Sequence, residues 1–348
     1  MNSVVIIESP FQLLSAVEAK NAFSIEKLIV IVKYTNNPKT NNQIDWILSK
    51  NSFYKIIKLP KFETITLNDF LLSFIIFGWK VKRKRFDYIL VGEPRSVIMN
   101  CFILNLTSNK HYFLDDGSTT IAIQNQIINN NKYILTETNK SFLISLRSIL
   151  FKVIGIKCYF NISPNFFTCF NLTPIKNQEI IQHKFDHILK TTTNKKERND
   201  NLVYFIGSNL SEVDILSEKD ELFLFSKIIK FYQKRKLNII YCCHRLESKD
   251  KLDKIKSLDK TIEFYYPEFP IELDFIIRGI HINSISSYYS TALYTSTLIF
   301  KPIQSNLFKI PSEFINIRYR ESVESIELNY TINSLIQLER DYIYINEL

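Results

Sequence analysis

The chain has 348 residues, which is enough for two domains of ordinary size, each with its own hydrophobic core. Hydrophobic residues make up 46% and charged residues 23% of the sequence, a balance that excludes collagen, coiled-coil and disordered proteins. The formal net charge is +9, from 44 Lys and Arg against 35 Asp and Glu, and it favours anionic partners such as nucleotides, phosphorylated lipids or an anionic membrane surface.

The cysteines and the first residues indicate a cytosolic protein. The five cysteines are an odd number and none has a zinc-type spacing, so we expect buried, reduced thiols and no metal site. Residues 1–8 carry no basic segment and reach Glu8 after four apolar residues, which predicts a first strand and not a signal peptide. The longest apolar run, residues 70–79, is about half of the roughly 20 residues that a membrane-spanning helix needs.

The first half of the chain alternates strands with helices. Val4–Ile7 is a short run of β-branched residues, the pattern of a strand buried on both faces of a parallel sheet. A helix should follow, with Ser9 as its N-cap and Pro10 at its first position, because apolar residues then recur at helical spacing. Further strands are expected at residues 28–32, 88–91 and 112–114, and the last two run into loops with acidic residues.

Four stretches between these elements need separate interpretation. Residues 70–79, which precede a basic run at 80–85, and residues 142–160 are either core helices or amphipathic helices at a membrane surface. The amide-rich residues 125–131 predict a loop. Residues 191–201 are polar without apolar periodicity, which predicts a linker.

Beyond the linker the alternation resumes. Strands are expected at residues 202–206, 238–243, 262–265 and 280–284, and helices at residues 221–233, 252–258, 272–278 and 288–295. The whole chain is therefore expected to be an α/β protein with two doubly wound domains, whose binding edges lie at the carboxyl ends of the strands.

Two adjacent carboxylates follow the strand at residues 112–114. The segment reads Leu114-Asp115-Asp116-Gly117-Ser118, and Gly117 permits a positive φ that lets the turn direct both acids into a cleft. The alternative is a solvated Asp-Gly loop without a chemical role. Polar residues in the second half of the chain favour the first interpretation.

Those polar residues lie at three strand ends. Gly207, Ser208 and Asn209 are small enough to let a ligand approach the backbone, and His244 places an imidazole beside the Arg245 guanidinium. A third site, with hydroxyls and free N–H groups suited to phosphate, is expected at a strand-to-helix junction that carries Ser286, Ser287, Ser290 and Thr291. A structural histidine and simple N-capping are the corresponding alternatives.

An acidic pair, a histidine and a phosphate site together suit transfer of a group from a nucleotide donor. One carboxylate would deprotonate an acceptor hydroxyl while the histidine or the phosphate site assists departure of the phosphate. The sequence contains no Walker loop, no GxGxxG motif and only 6 glycines, which argues against a P-loop ATPase and a dinucleotide oxidoreductase.

Five features occur in a fixed order along the chain: residues 8–16 (Glu-Ser-Pro-Phe-Gln-Leu-Leu-Ser-Ala), residues 114–118, His244-Arg245, residues 270–272 (Pro-Ile-Glu) and residues 286–293. In this order they resemble the bacterial sialyltransferases that build lipooligosaccharide, capsule and O-antigen. The resemblance implies a GT-B fold, two Rossmann-like domains with a cleft between them. It also implies inverting, metal-independent transfer of sialic acid or a related nonulosonic acid from its CMP donor, without a cofactor.

The resemblance further implies residue roles. The Asp115/Asp116 pair would supply the general base, and His244 would act as general acid or as donor to the CMP phosphate. The donor would be bound by Gly207, Ser208, Asn209, Arg245, Glu272, Ser286, Ser287, Ser290 and Thr291, with Glu272 on the ribose hydroxyls and the Ser290-Thr291 pair on the phosphate. Ser9, Gln12 and Gly117 would lie on the acceptor or sugar side.

Two positions depart from the family pattern. The family commonly has His-Pro where this chain has His244-Arg245, and paired serines where this chain has Ser290-Thr291. The threonine keeps its hydroxyl group, so the second change is mild. The missing proline leaves the geometry of the histidine loop open, although Arg245 could add a charged contact to the donor.

The expected boundaries are an acceptor-side domain at 1–190, a linker at 191–201, a CMP-sugar-binding domain at 202–310, and a tail at 311–348 that can pack back on the first domain. The expected partners are the CMP donor and an oligosaccharide or glycolipid acceptor of surface-polysaccharide synthesis. We expect a cytoplasmic location, with contact to the anionic inner membrane face left open and no nucleic-acid partner. Two alternatives also remain: a GT-B transferase of UDP or GDP sugars, and a catalytically silent protein that binds nucleotide or membrane in an assembly complex.

Overall fold

The structure is a computed structural model that describes residues 1–59, 85–96, 99, 104–130, 164–190, 201–288, 290–302, 304–321, 323–324 and 343–348. The chain divides into two compact units, Met1–His187 and Ile188–Leu348. Each unit is built on a parallel sheet flanked by helices, which confirms the α/β class and the two Rossmann-like sheets predicted from the sequence.

The described residues of the first unit form a parallel sheet of seven strands. These are β1 (Asn2–Ile7), β2 (Lys27–Lys33), β3 (Lys55–Leu59), β4 (Arg85–Val91), β5 (Thr107–Phe113), β6 (Asn165–Thr168) and β7 (Ile180–Gln182), in the spatial order β3-β2-β1-β4-β5-β6-β7. The helices are α1 (Pro10–Ala22), α2 (Pro38–Lys50) and α3 (Ser118–Asn130), and α4 (Asp186–Lys190) spans the division between the two units. Because every strand pair is parallel, all the strands end at one edge of the sheet.

Helix α1 begins as the sequence predicts. The Ser9 side chain accepts a hydrogen bond from the Gln12 backbone N–H, and the Gln12 side chain accepts from the Ser9 backbone N–H, which is a complete capping box. Pro10 occupies the first helical position, where its missing N–H has no partner to lose. The capping box therefore fixes Gln12 at the carboxyl edge of the sheet, directly after β1.

The described residues of the second unit form a parallel sheet of six strands. These are β8 (Leu202–Ile206), β9 (Asn238–Cys242), β10 (Glu263–Tyr265), β11 (Ser284–Ser287), β12 (Gln304–Lys309) and β13 (Ile343–Glu347), in the spatial order β10-β9-β8-β11-β12-β13. The helices are α5 (Glu218–Lys234), α6 (Lys249–Leu258), α7 (Ile271–Arg278) and α8 (Thr291–Phe300), with a 3₁₀ turn at Ser312–Phe314. The strand order reverses between β8 and β11, where doubly wound sheets bind ligands.

The core of the second unit packs aromatic rings behind that reversal. Phe205 of β8 stacks on Tyr241 of β9 with ring centroids 5.6 Å apart, and Phe225 of α5 meets both rings edge-on. All three side chains are buried. Burial of each large side chain stabilises the fold by about 1.5–3 kcal/mol, so the ends of β8 and β9 rest on a firmly packed base.

Three element predictions are wrong. The amide-rich residues 125–131 do not begin a loop, because α3 continues to Asn130 with Ile121, Ile123 and Ile127 buried along it. The strand predicted at 280–284 is β11, which begins four residues later and ends three residues later, and the helix predicted from 288 begins at Thr291. Both shifts arise because β11 is a buried strand made largely of serines, which no apolar pattern marks.

Other predictions fall partly outside the described residues. These include residues 70–79, the basic run up to residue 84, residues 142–160 and the linker except Asn201. The described tail residues belong to the second unit: β13 pairs with β12, and Ile315 and Val323 pack in the core of that unit and not on the first domain. For the rest of the tail, packing on the first domain stays a prediction. Among the described cysteines, Cys169, Cys242 and Cys243 are buried, as expected. None of the described helices is long and apolar enough to cross a membrane.

Candidate functional site

The two adjacent acids after β5 lie in different environments. The Asp115 side chain has no exposed surface. Its carboxylate accepts hydrogen bonds from the Cys169 backbone N–H at 2.7 Å and from the Thr168 hydroxyl, and it lies 3.1 Å from Nε2 of His183. Asp115 therefore joins the end of β5 to the residues that follow β6 and β7, and in this structure it does not reach solvent.

Asp116 is the acid that reaches the surface, with 19% of its side chain exposed. Its Oδ1 accepts a hydrogen bond from Nε2 of Gln12 at 2.8 Å, and its backbone N–H donates to the Thr120 hydroxyl at 2.9 Å. Gly117 has φ = 63°, which confirms the expected positive φ at the turn. The turn thus directs Asp116 toward the start of α1, where Gln12 meets it.

Gln12 is held so that its amide nitrogen faces Asp116. Its Oε1 accepts from the Glu8 backbone N–H at 2.8 Å, which assigns the other end of the amide as the donor. Gly92 at the end of β4 packs so closely on Gln12 that a Cβ at position 92 would overlap the Gln12 side chain. The protein itself therefore holds Nε2 of Gln12 in position to donate to Asp116.

The loop after β4 adds two charged groups, Glu93 and Arg95, to which the sequence analysis gave no role. The Arg95 guanidinium lies with Nη2 2.7 Å from Oε2 of Glu93 and 3.4 Å from Oδ2 of Asp116. Its Nε donates to Oε1 of Glu93 at 2.9 Å. Since β4 and β5 are parallel neighbours, the residues that follow them must meet at one edge, and this is the signal that could have identified Glu93.

The pKa values of the two carboxyl groups near Arg95, those of Asp116 and Glu93, are shifted in opposite directions. Burial raises the pKa of Asp116, and the hydrogen-bonded, negatively charged Glu93 raises it further, to about 7. Burial alone would raise the pKa of Glu93 as well, but hydrogen bonds from Arg95 outweigh it and hold that pKa below its usual value. Near neutral pH, Asp116 is therefore poised between its acid and base forms.

In the second unit, His244 follows β9 with its ring oriented by the backbone. Nδ1 accepts a hydrogen bond from the Leu246 N–H at 3.3 Å, which leaves Nε2 to carry the proton of the neutral ring. Burial lowers the pKa of His244, and the positive charges of Arg245 and Lys251 lower it further, to about 4. The imidazole is thus a neutral N–H donor at pH 7.

A buried ionic cluster lies behind the His244 loop. Nζ of Lys251, whose side chain is 1% exposed, lies 2.6 Å from Glu221, 3.1 Å from Glu247 and 3.2 Å from Glu212. It also donates to the Ser208 carbonyl oxygen at 2.7 Å. The cluster therefore ties the loop after β8 to the loop after β9, and sequence analysis did not identify it.

Glu247 fixes the histidine loop where the family pattern has proline. Its Oε2 accepts from the His244 backbone N–H at 2.6 Å, and its own N–H donates to the His244 carbonyl oxygen at 3.0 Å. Gly207 lies against the same carboxylate, because a Cβ there would be 2.7 Å from Oε2 of Glu247 and from the Tyr241 ring. These contacts hold the histidine loop in place without a proline.

The predicted phosphate residues are divided between a strand and a helix. Ser290 is the N-cap of α8 and accepts from the Ala292 N–H at 3.3 Å, and Thr291 is the first residue of the helix. Both are partly exposed. Ser286 and Ser287 instead lie in β11 with no exposed surface, and Ser287 donates to the Ile206 carbonyl oxygen at 2.9 Å. The junction predicted to carry all four hydroxyls therefore presents only the Ser290-Thr291 pair.

Glu272, the predicted ribose ligand, lies in α7 and is buried. Its carboxyl accepts a hydrogen bond from the Thr295 hydroxyl of α8, and burial raises the pKa of Glu272. Arg245 is exposed, and Ser208 and Asn209 are partly exposed. Among the described residues no group of three or more His, Cys, Asp or Glu side chains is placed to hold a metal ion.

Comparisons with known proteins add a family and a fold. A protein-family model described as alpha-2,8-polysialyltransferase (POLYST) matches residues 3–308. No curated protein matches the sequence.

Solved structures resemble the chain at low identity. The S. aureus MnaA–UDP co-structure has a TM-score of 0.52 and 10% identity, over 93% of this chain and 82% of that one. Acinetobacter baumannii MurG gives 0.42 and 8%, over 100% and 86% of the two chains. E. coli heptosyltransferase WaaC with ADP-2-deoxy-2-fluoro heptose gives 0.41 and 10%, over 88% of each. At these identities the likeness concerns the fold alone.

Proposed function

The chain belongs to the alpha-2,8-polysialyltransferase family, with a GT-B fold of two Rossmann-like domains, and on this premise we propose an inverting, metal-independent sialyltransferase. Its donor is a CMP-activated sialic acid or related nonulosonic acid, and its acceptor is a hydroxyl group of a glycan. The observation that carries the proposal is the partly exposed Asp116, whose pKa is raised to about 7 at the carboxyl edge of the first sheet.

Asp116 is the general base of the proposed reaction. The acceptor oxygen bonds to the anomeric carbon of the donor while its proton passes to the Asp116 carboxylate, and the bond from that carbon to the phosphate oxygen breaks. A base with a pKa near the working pH is well matched to this step. Asp115, buried and hydrogen-bonded, holds the loop in place. We assign to the acceptor side Gln12, which binds Asp116, Ser9, which is bonded to Gln12, and Gly117, which follows Asp116 in the chain.

The donor phosphate is bound by groups of the second domain. Ser290 and Thr291 offer hydroxyls and N–H groups at the start of α8, and a helix N-terminus favours a negative charge. His244 donates a hydrogen bond from Nε2 to the phosphate and keeps its proton, because its ring is neutral at pH 7, and CMP departs as the phosphate anion. Because the leaving group carries one phosphate and not a pyrophosphate, these groups meet its charge without a divalent cation.

The remaining donor contacts follow from position. Glu272 takes the ribose hydroxyls in exchange for its Thr295 partner, and Gly207, Ser208 and Asn209 border the cytidine or the sialic acid. Arg245 contacts the phosphate or the donor carboxylate. The acceptor is an oligosaccharide or glycolipid of surface-polysaccharide synthesis, made at the cytoplasmic face of the membrane, where a net charge of +9 favours anionic lipids.

Incubation with CMP-Neu5Ac, sialylated or galactoside acceptors and EDTA tests the proposal. We expect acceptor-dependent CMP release and a product enlarged by sialic acid, both unaffected by the chelator. A folded protein that releases no CMP from any CMP-activated nonulosonic acid would contradict the proposed function. Donor hydrolysis separates it from a silent nucleotide-binding protein, which would bind CMP without releasing it.

A further inference from the structure

The acid cluster at the carboxyl edge of the first sheet contains one carboxyl group more than a single base needs. Glu93 has 10% of its side chain exposed, and the Arg95 guanidinium contacts both Glu93 and Asp116. Arg95 binds Glu93 through two guanidinium nitrogens, at 2.7 and 2.9 Å, and reaches Asp116 only at 3.4 Å. The Arg95 guanidinium therefore binds Glu93 more closely than Asp116. It stabilises a negative charge on Asp116 only through the longer contact at 3.4 Å.

The other described groups that touch Asp116 are uncharged. Within the described part of the chain, α1 contributes the neutral Gln12 amide and α3 contributes the neutral Thr120 hydroxyl. The adjacent Asp115 carboxylate is already occupied by Thr168, Cys169 and His183. Two nearby carboxyl groups with one cation cannot both ionise without a large electrostatic cost, so one of them retains a proton.

We propose that Glu93 is a positioning residue that acts through Asp116: the two carboxyl groups share one proton, and Glu93 makes Asp116 the stronger base of the pair. The proposal deepens the proposed function, since it rests on Asp116 as the base of transfer. In the resting pair the shared proton lies on Asp116, and it leaves to solvent before the reaction. The acceptor hydroxyl then gives its proton to Asp116 while Glu93 stays ionised against Arg95, so the pair ends each turnover with one proton.

The directions of the two pKa shifts agree with this division. The pKa of Asp116 is raised to about 7, by burial first and then by Glu93, whereas the pKa of Glu93 lies below its usual value because of Arg95. When two carboxyl groups interact this strongly, each measured titration midpoint reflects both groups and not one acid alone. The pair should accordingly control the acid limb of the pH–rate profile.

Carbon-13 NMR of the labelled Asp and Glu carboxyl groups tests the pair without any substrate. The Asp116 signal, assigned by its loss in Asp116→Asn, should titrate near pH 7 in the native chain. In Glu93→Gln, which keeps the shape and removes the charge, the midpoint should fall by one pH unit or more. In Arg95→Gln the midpoint should rise, and this variant alters a side chain that is 60% exposed, so it should fold even where the first does not.

The matched control is Glu179→Gln, which removes a carboxylate of the same domain that pairs with Lys110, away from Asp116. It should leave the Asp116 midpoint unchanged. An Asp116 midpoint near the ordinary value of about 4 in the native chain, or one that Glu93→Gln does not move, would overturn the proposal.

In transfer assays, the acid limb of kcat/KM should move with the NMR midpoint in each variant. If the NMR midpoints move as expected but no CMP-activated donor is used, the proposed function fails and the carboxyl pair stands.

Discussion

Asp115 and Asp116 are neighbours in the sequence but differ in what surrounds them. Asp115 is buried with three hydrogen-bond partners, whereas Asp116 is partly exposed beside Gln12 and Glu93. The sequence analysis selected this segment as a candidate site, because two acids and a glycine follow a strand. It could not separate the two acids, since the partners of Asp115 come from residues 168–183, more than 50 positions away.

Asparagine at each of these positions should have a different effect. Asp115→Asn removes the charge that Cys169, Thr168 and His183 bind, and we expect a loss of about 3 kcal/mol in the free energy of unfolding. Asp116→Asn should leave stability nearly unchanged at neutral pH. Urea unfolding of both variants measures the difference. An Asp115→Asn protein as stable as the native chain would contradict the anchoring role.

His244 should act as a neutral donor across the physiological pH range. Its pKa is lowered to about 4, by burial first and then by Arg245 and Lys251, so the free imidazole is uncharged from pH 5 upward. His244→Asn should reduce kcat/KM by about 10²-fold or more, the usual contribution of a positioned hydrogen-bond donor to a developing negative charge. The acid limb of the pH profile should stay where the native protein has it. A limb that disappears in His244→Asn would instead assign that titration to the histidine.

At the scale of elements, continuous runs of apolar residues correctly predicted the strands that contain such runs. Val4–Ile7, residues 28–32 and residues 202–206 are continuous apolar runs, and each lies in a buried parallel strand. The pattern failed for β11, whose serines are buried although they are polar, and for α3, whose amide-rich end resembles a loop. Tertiary contacts, which no local pattern records, decided both elements.

The Lys251 cluster joins α5 and α6 to the loops after β8 and β9. Lys251→Met would leave Glu221 and Glu247 buried without their cation, and breaking such a network destabilises a protein by about 3–5 kcal/mol. Lys254→Met is the matched control, because Lys254 lies on the same helix but pairs with Glu218 and Asp250 at the surface. Thermal unfolding should show a large decrease in Tm for the first variant and little change for the second. Equal effects would contradict a special role for the buried cluster.

At the scale of the whole molecule, composition and alternation of elements predicted two Rossmann-like sheets, and both are present with the strand order of doubly wound proteins. The family match over residues 3–308 agrees with the landmarks found in the sequence. The sequence identified Asp116 of the Glu93–Asp116 pair but not Glu93. The two residues meet because β4 pairs with β5, and no local motif records that pairing.

A panel of nucleotides should separate the CMP-dependent function from transfer of UDP or GDP sugars. A ligand that binds only the folded state raises its stability, so CMP should increase Tm by more than UDP or GDP at equal concentration. Thr291→Ala alters the proposed phosphate site and should reduce the shift with CMP. A larger shift with UDP or GDP than with CMP would favour the alternative donor class.

The most direct test of the account is acceptor-dependent CMP release from CMP-activated sialic acid, measured in EDTA for the native chain and Asp116→Asn. We predict release and a sialylated product from the native chain, and a decrease of about 10²–10⁴-fold in Asp116→Asn with its fold retained. Transfer that persists at the native rate in Asp116→Asn would contradict Asp116 as the base. No transfer from any CMP-activated nonulosonic acid by the folded native chain would contradict the function itself.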